Sequence, residues 1–210
     1  MFKRIKRSFI TVGLSVLMLN LFACGNNDVI KENTEDSQSS EIIQESESEV
    51  KIEIVDAADI LVKTWNTYKT GERFEIMGGH FSSVLIGLHA KYDLTQSTDL
   101  VQMYCFPENQ LAIVDDAATM IDFYNAARFT AGAYHVTDAN QMQSMAEDIK
   151  KQVLENTWHG EKPEKLYVIK IEDQYVISVY GHENLVDVFK LKLESVYPKM
   201  TEVVVEEKLF

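Results

Sequence analysis

The sequence predicts an α+β fold: a small antiparallel sheet of three to four strands, covered on one face by helices and preceded by an N-terminal helical segment. Three observations lead there. Residues 120–124 and 129–136 are rich in aromatic and small apolar side chains and are separated by a short break, as two strands or one interrupted strand would be. Met142, Met145, Ala146, Ile149 and Val153 then recur at helical spacing on one face. Residues 166–171 and 175–180, joined by Glu172-Asp173-Gln174, carry a hairpin signal, and a last helix follows them.

The elements before these are less periodic. Asp56 can cap a helix in which Ala57, Ile60, Leu61, Trp65 and Tyr68 repeat at three or four residues, with Gly71 as its stop. Residues 72–92 keep no period and contain Gly78-Gly79 and Gly87, so they read as a long loop with a short strand near 84–88. Residues 95–104 read as a short helix. Pro107 fits the first turn of another that runs to about residue 114, because proline lacks an amide hydrogen that position would not use.

In the second half, Asp138 caps the methionine-bearing helix, with Gln141 at the capping-box position and Gly160 and Pro163 beyond its end. Asn184 opens the last helix. Leu185, Val188, Phe189, Leu193 and Val196 lie on one side of it, and Pro198 stops it.

The N-terminus is an address. Lys3, Arg4, Lys6 and Arg7 precede an uncharged apolar stretch from Ser8 to Ala23, the form of a secretion signal. That stretch falls short of the roughly 20 residues of a spanning helix and runs into an acidic, serine-rich segment, so a permanent membrane helix is the weaker reading. Leu21-Phe22-Ala23-Cys24 resembles the lipobox of bacterial lipoproteins, and the resemblance implies that Cys24 is lipidated and becomes the mature N-terminus. Phe22 is bulkier than the residue usual at that place. An ordinary secretory signal or an uncleaved anchor is the alternative.

The domains expected are a signal peptide at 1–23, a lipidated cysteine and acidic tether at 24–51, and one globular α+β domain at 52–210. The tether is too polar to bury a core and has a random-coil reach of roughly 30 Å. Its glutamate run from residue 41 to 49 has no calcium-loop spacing and reads as a spacer. The partner predicted from this region is the membrane, through covalent lipid at Cys24.

Composition excludes further classes. With 210 residues, 46% hydrophobic and 25% charged, the chain is not disordered throughout, collagen-like or a polytopic membrane protein. Its formal charge of −13 opposes nucleic acid phosphates, so no nucleic acid partner is expected. Two cysteines make no disulfide framework.

From about residue 92 to 198, with Asp115-Asp116-Ala117-Ala118 leading to Phe129-Thr130-Ala131-Gly132-Ala133-Tyr134-His135-Val136, the chain resembles a domain of unknown function found in clostridial-type (Gram-positive) lipoproteins. Some relatives carry the label bacteriocin transport accessory protein. The resemblance implies a lipobox, a tether and this strand-helix-hairpin-helix unit; it brings no catalytic residue with it.

Candidate chemistry is sparse. Cys105, between Tyr104 and Phe106, reads as a buried and inert thiol. His80, His89, His135, His159 and His182 form no pair at metal-ligand spacing, so neither a metal nor a cofactor is expected. His135 alternates with Ala133 on a strand, and His159 sits at a helix end. Gly78-Gly79-His80 lacks the Gly-Lys-Ser/Thr of a phosphate loop and reads as a flexible turn. Asp115-Asp116 could contribute to two-carboxylate glycosidase chemistry, although adjacent acids commonly mark a solvated turn or helix end. The methionine stripe is what a core-facing helix needs.

The preferred expectation is a non-enzymatic, lipid-anchored extracytoplasmic module that binds an envelope protein or component. Its rival is an envelope-acting hydrolase or other enzyme, for which Asp115, Asp116, His135 and His80 are the groups to test first. Capture of a small solute is the third reading, disfavoured because one domain of this size lacks a two-lobed cleft.

Overall fold

A computed structural model describes residues 52–79 and 84–210; the leader, Cys24, the acidic tether up to residue 51 and His80 lie outside the described residues. The first helix, α1, runs Ala57–Asn66, and its N-cap is Asp56, whose carboxylate accepts the Asp59 N–H at 2.8 Å. Ala57, Ile60, Leu61 and Trp65 are its buried face, as their spacing predicts.

The stretch read as a long loop with a short strand near 84–88 does hold that strand, β2 (Leu85–Ile86), but also two more, β1 (Ile76–Gly78) and β3 (Ala90–Lys91). None is long enough to display a period. A 3₁₀ turn, Leu94–Gln96, leads into α2 (Ser97–Tyr104), and the segment after Pro107 is a 3₁₀ helix, Glu108–Ile113.

Strand β4 runs Val114–Asp122 and β5 runs Phe129–Val136. Asp115-Asp116 therefore lies within a strand and not at a solvated turn. Asp138 caps a 3₁₀ turn, Ala139–Gln141, that precedes α3 (Met142–Glu155). The Gln141 amide donates to the Asp138 carboxylate at 3.3 Å, so no reciprocal capping box forms. The hairpin is β6 (Lys165–Ile171) with β7 (Tyr175–Gly181), followed by α4 (Glu183–Val196). Past Pro198 lies β8 (Thr201–Lys208), which sequence reasoning did not anticipate.

The predicted small sheet covered on one face is overturned. Among the described residues one antiparallel sheet of eight strands has the order β2-β1-β4-β5-β7-β6-β8, with β3 on β4 beside β1. Helices pack on both faces. One core joins α1 and α4 to Met120, Phe129, Ile169 and Ile177; the other joins α2 and α3 to Ile121, Tyr134, Val168 and Val176.

Connectivity explains the two layers. Strands β5 and β6 run parallel with β7 between them, and β7 and β8 run parallel with β6 between them. Both crossovers step the same way across the sheet but start from strands of opposite direction. Right-handed crossovers of that kind must place their helices on opposite faces. The second crossover exists only because β8 follows α4, and overlooking β8 removes the reason for a second layer.

A buried cation ties this arrangement together. Lys165 at the start of β6, its side chain 8% exposed, meets Asp187 of α4 at 2.9 Å and Glu206 of β8 at 3.2 Å. The Tyr167 hydroxyl donates to Asp187 at 2.8 Å. Hydrogen bonding to Tyr167, Asp187 and Glu206 raises the lysine above its ordinary range despite burial. Burial works against ionisation of Asp187, but hydrogen bonds from Lys165 and Tyr167 outweigh it and hold the carboxyl below its usual range. Lys165 first, against some burial, does the same for Glu206.

Both carboxyls titrate lower in the folded chain than in the unfolded one. Their stabilisation is thus full above the ordinary carboxylate range, about pH 4 to 5, and is lost as pH falls through the folded values. Urea midpoints measured between about pH 5 and pH 3 will fall more steeply for the native chain than for Lys165→Met, in which the Lys165 share of that linkage is gone and only the Tyr167 hydrogen bonds and the Lys190 charge remain.

Candidate functional site

Three of the residues picked out from sequence meet at one end of the sheet. Asp116 on β4 pairs with His135 on β5, which pairs with Tyr175 on β7, making one row of side chains across three strands. The β4 register shifts between Val114 and Asp116, so Asp115 is the extra residue of a β-bulge. The bulge sends its carboxylate sideways, where Oδ1 stands 2.5 Å from His135 Nδ1. With the carboxylate as acceptor, Nδ1 carries the proton of this contact and Nε2 is left as the imidazole's second nitrogen. Tyr175 meets the imidazole edge to face at 5.0 Å between centroids.

Asp116 is held differently. Its Oδ2 accepts the Ala57 N–H at 2.7 Å, so a strand carboxylate caps the first residue of α1 from outside the helix. Its Oδ1 pairs with Lys91 of β3 at 2.8 Å, and Lys91 also reaches Asp56 at 3.8 Å. The hydrogen bond and charge of Asp116 raise the lysine above its ordinary range, with burial opposing and Asp56 adding to the rise. Burial raises the Tyr175 phenol, and the carboxylates of Asp116, Asp56, Asp115 and Asp59 raise it further.

These groups line an open hollow of about 320 Å³ bounded by Asp56, Lys91, Asp115, Asp116, His135 and Tyr175. A second hollow of about 370 Å³ adjoins it past Lys91 and the two aspartates, against Tyr92, Asp93 and Leu94. Chemically, the Asp115–His135 pair can orient an imidazole and accept a proton at its free nitrogen. Asp116 and Lys91 neutralise one another and fix α1 to the sheet.

The remaining candidates are dispersed. His80 lies outside the described residues, as does Cys24. Cys105 is buried at the C-terminal end of α2 with φ 51°, its Sγ 3.6 Å from the Tyr180 hydroxyl, and burial pushes its thiol up to about 11. It is the inert thiol its neighbours suggest. His89 is partly buried, which lowers its pKa. His159 is exposed beyond the end of α3, and His182, the N-cap of α4, pairs with Glu161 at 2.6 Å. Among the described residues no three histidine, cysteine or acidic side chains are placed to hold a metal ion, and no helix is long and apolar enough to cross a membrane.

Sequence reasoning missed Lys91 and Tyr175. Lys91 belongs to a two-residue strand with no pattern, and Tyr175 looked like any strand aromatic; only the bulge brings Asp115 and Asp116 to both of them. No protein-family model, no curated protein and no solved structure matches this chain.

The two aspartates have different roles, and stability measurements separate them. Asp116→Ala removes the acceptor of a buried amide and the partner of Lys91, and is expected to cost about 2 kcal/mol in urea denaturation. Asp115→Asn, at a side chain 59% exposed, is expected to stay within about 0.5 kcal/mol of the native chain.

Proposed function

We propose that the chain is a lipid-anchored extracytoplasmic binding module that holds an envelope protein or component. The basic and apolar leader, the Leu21-Phe22-Ala23-Cys24 run and the acidic segment after it support the anchored location, and the resemblance to clostridial-type lipoprotein domains belongs to the same proposal. One structural observation carries the binding reading. At one end of the sheet Leu85, Ile86, Leu88 and Tyr124 are 48, 70, 52 and 70% exposed, and Phe123 packs edge to face on Tyr124.

Single exposed apolar residues are ordinary, whereas a group of this kind marks a contact surface. Short strand β1 separates the two parts of the group, with Leu85 and Ile86 paired along one side of it and the end of β4, just before Phe123 and Tyr124, along the other. Gly87 donates to the Ile76 carbonyl, and Phe123 donates to the Glu75 carbonyl one residue away.

A second reading, an envelope-acting hydrolase, is favoured by the Asp115–His135 pair in its open hollow. The imidazole would act as general base on a water or substrate hydroxyl, with Asp115 orienting it. His80 adds nothing to that reading from the described residues.

The two readings separate in crosslinking from intact cells, with the anchored full chain compared against a lipidated chain lacking residues 52–210. One envelope protein should be enriched by the full chain alone. Replacing Ile86 and Tyr124 together by aspartate should reduce that enrichment about tenfold, as loss of a central apolar contact does. Asp115→Asn and His135→Gln should leave it intact, and Cys24→Ala should release the chain from the membrane fraction. Loss of the envelope phenotype through Asp115→Asn or His135→Gln, with crosslinking unaffected, would transfer the function to the hollow.

A further inference from the structure

The exposed apolar end has a backbone component as well as a side-chain one. Strand β2 is the terminal strand of the sheet, and among the described residues no strand lies on its outer side. Its inner side is spoken for. Gly87 donates to Ile76 at 2.6 Å, and Leu85 is partnered with Gly78. An antiparallel ladder alternates inward-bonded and outward-facing residues. With Leu85 and Gly87 bonded inward, the N–H and C=O of Ile86 face out, and Ile86 itself is 70% exposed.

The opposite edge is built otherwise. There β8 carries Glu202, Glu206, Glu207 and Lys208, charges of the sort that keep an edge strand from pairing with another chain. The β2 edge has no such guard. Between Glu75 and Asp93 the sequence contains no acidic residue at all, in a chain whose formal charge is −13.

From this juxtaposition we infer that the β2 edge takes up an extended apolar segment of a partner protein, which adds as a strand alongside Ile86. This rests on reading the apolar end as the contact surface and names what occupies it. An extended polypeptide satisfies the outward N–H and C=O of Ile86 while its own side chains lie beside Leu85 and Ile86 on the two faces of the sheet. A bilayer would cover the same side chains but leave those two backbone groups without partners in hydrocarbon, which is unfavourable. Because β2 is short, the ladder contributes one backbone pair that sets register, and the side chains supply most of the affinity. The acid-free window lets an uncharged strand approach, and the acidic body around it favours a segment with basic flanks.

The test uses the full lipidated chain in nanodiscs and a synthetic peptide of alternating valine and threonine with lysines at both ends. Amide hydrogen exchange is read residue by residue. Without peptide the Ile86 amide should exchange freely, while those of Leu85 and Gly87 are protected. At saturation the Ile86 amide should slow by about tenfold or more, with little change at its two neighbours. Ile86→Pro, which keeps an apolar side chain but removes the outward donor, should weaken binding about tenfold, and Ile86→Val should bind as the native chain does.

Four outcomes would overturn the inference: an Ile86 amide already protected without peptide, equal binding by Ile86→Pro, slowing produced by nanodisc lipid or by raising the protein concentration alone, or no slowing at millimolar peptide. If cellular crosslinking is lost with Ile86→Asp but kept with Ile86→Pro, the contact surface stands and strand addition fails. If both variants keep it, the contact surface itself is wrong.

Discussion

The structure depends on one constraint of chirality. Two crossovers, β5-α3-β6 and β7-α4-β8, interleave their strands, and each traverses the sheet with the same hand from strands of opposite direction. This fixes α3 on one face and α4 on the other, so β4 to β7 are buried on both sides and the sheet holds two cores. The Lys165 cluster sits where the second crossover closes, linking β6 to α4 and to β8. Breaking that closure would free β8 and leave Val168 and Tyr167 without their cross-strand neighbours Val205 and Glu206.

The acidic end follows from the same frame. With α4 committed to one face of β6 and β7, α1 fills the rest of that face, over β4 and β5. Its first amide then needs an acceptor, and the bulge at Asp115 turns Asp116 into position to supply one. Lys91 compensates the buried charge. The hollow beside them is therefore a by-product of docking α1 as much as a place for a ligand, and only the Asp115–His135 pair stands outside that structural duty. The apolar group at β2 has no comparable task within the described residues, and this contrast is why the contact surface is assigned there.

Long amphipathic and hairpin elements were legible from sequence. The Asp56 cap, the Met142 to Val153 stripe and the paired strands after Lys165 each announce themselves by period or by turn chemistry. The sheet's size was not legible, for a physical reason in each part. Strands β1 and β3 have three and two residues, too few for a period, and of this region only the short strand near 84–88 was visible. Strand β8 is half polar because it is an edge, and its glutamates resemble a solvated tail. The two-sided cover was signalled, in retrospect, by the central strands. Leu166 to Ile169 and Tyr175 to Val179 run nearly apolar throughout, the mark of strands buried on both faces, where a one-sided sheet alternates. At the candidate site, adjacency of Asp115 and Asp116 was visible, but a bulge that separates their roles is a property of register and cannot be read from two neighbouring acids.

The central claim is that this molecule meets its partner through the apolar end of the sheet, while the acidic hollow serves the fold. Hydroxyl-radical footprinting of the chain in intact cells, set against the purified chain, addresses it directly. The expected result is that Leu85, Ile86, Leu88 and Tyr124 become shielded in cells while His135 and Tyr175 react equally in both. Shielding of His135 and Tyr175 with an unchanged β2 edge would contradict it and move the function to the Asp115–His135 hollow.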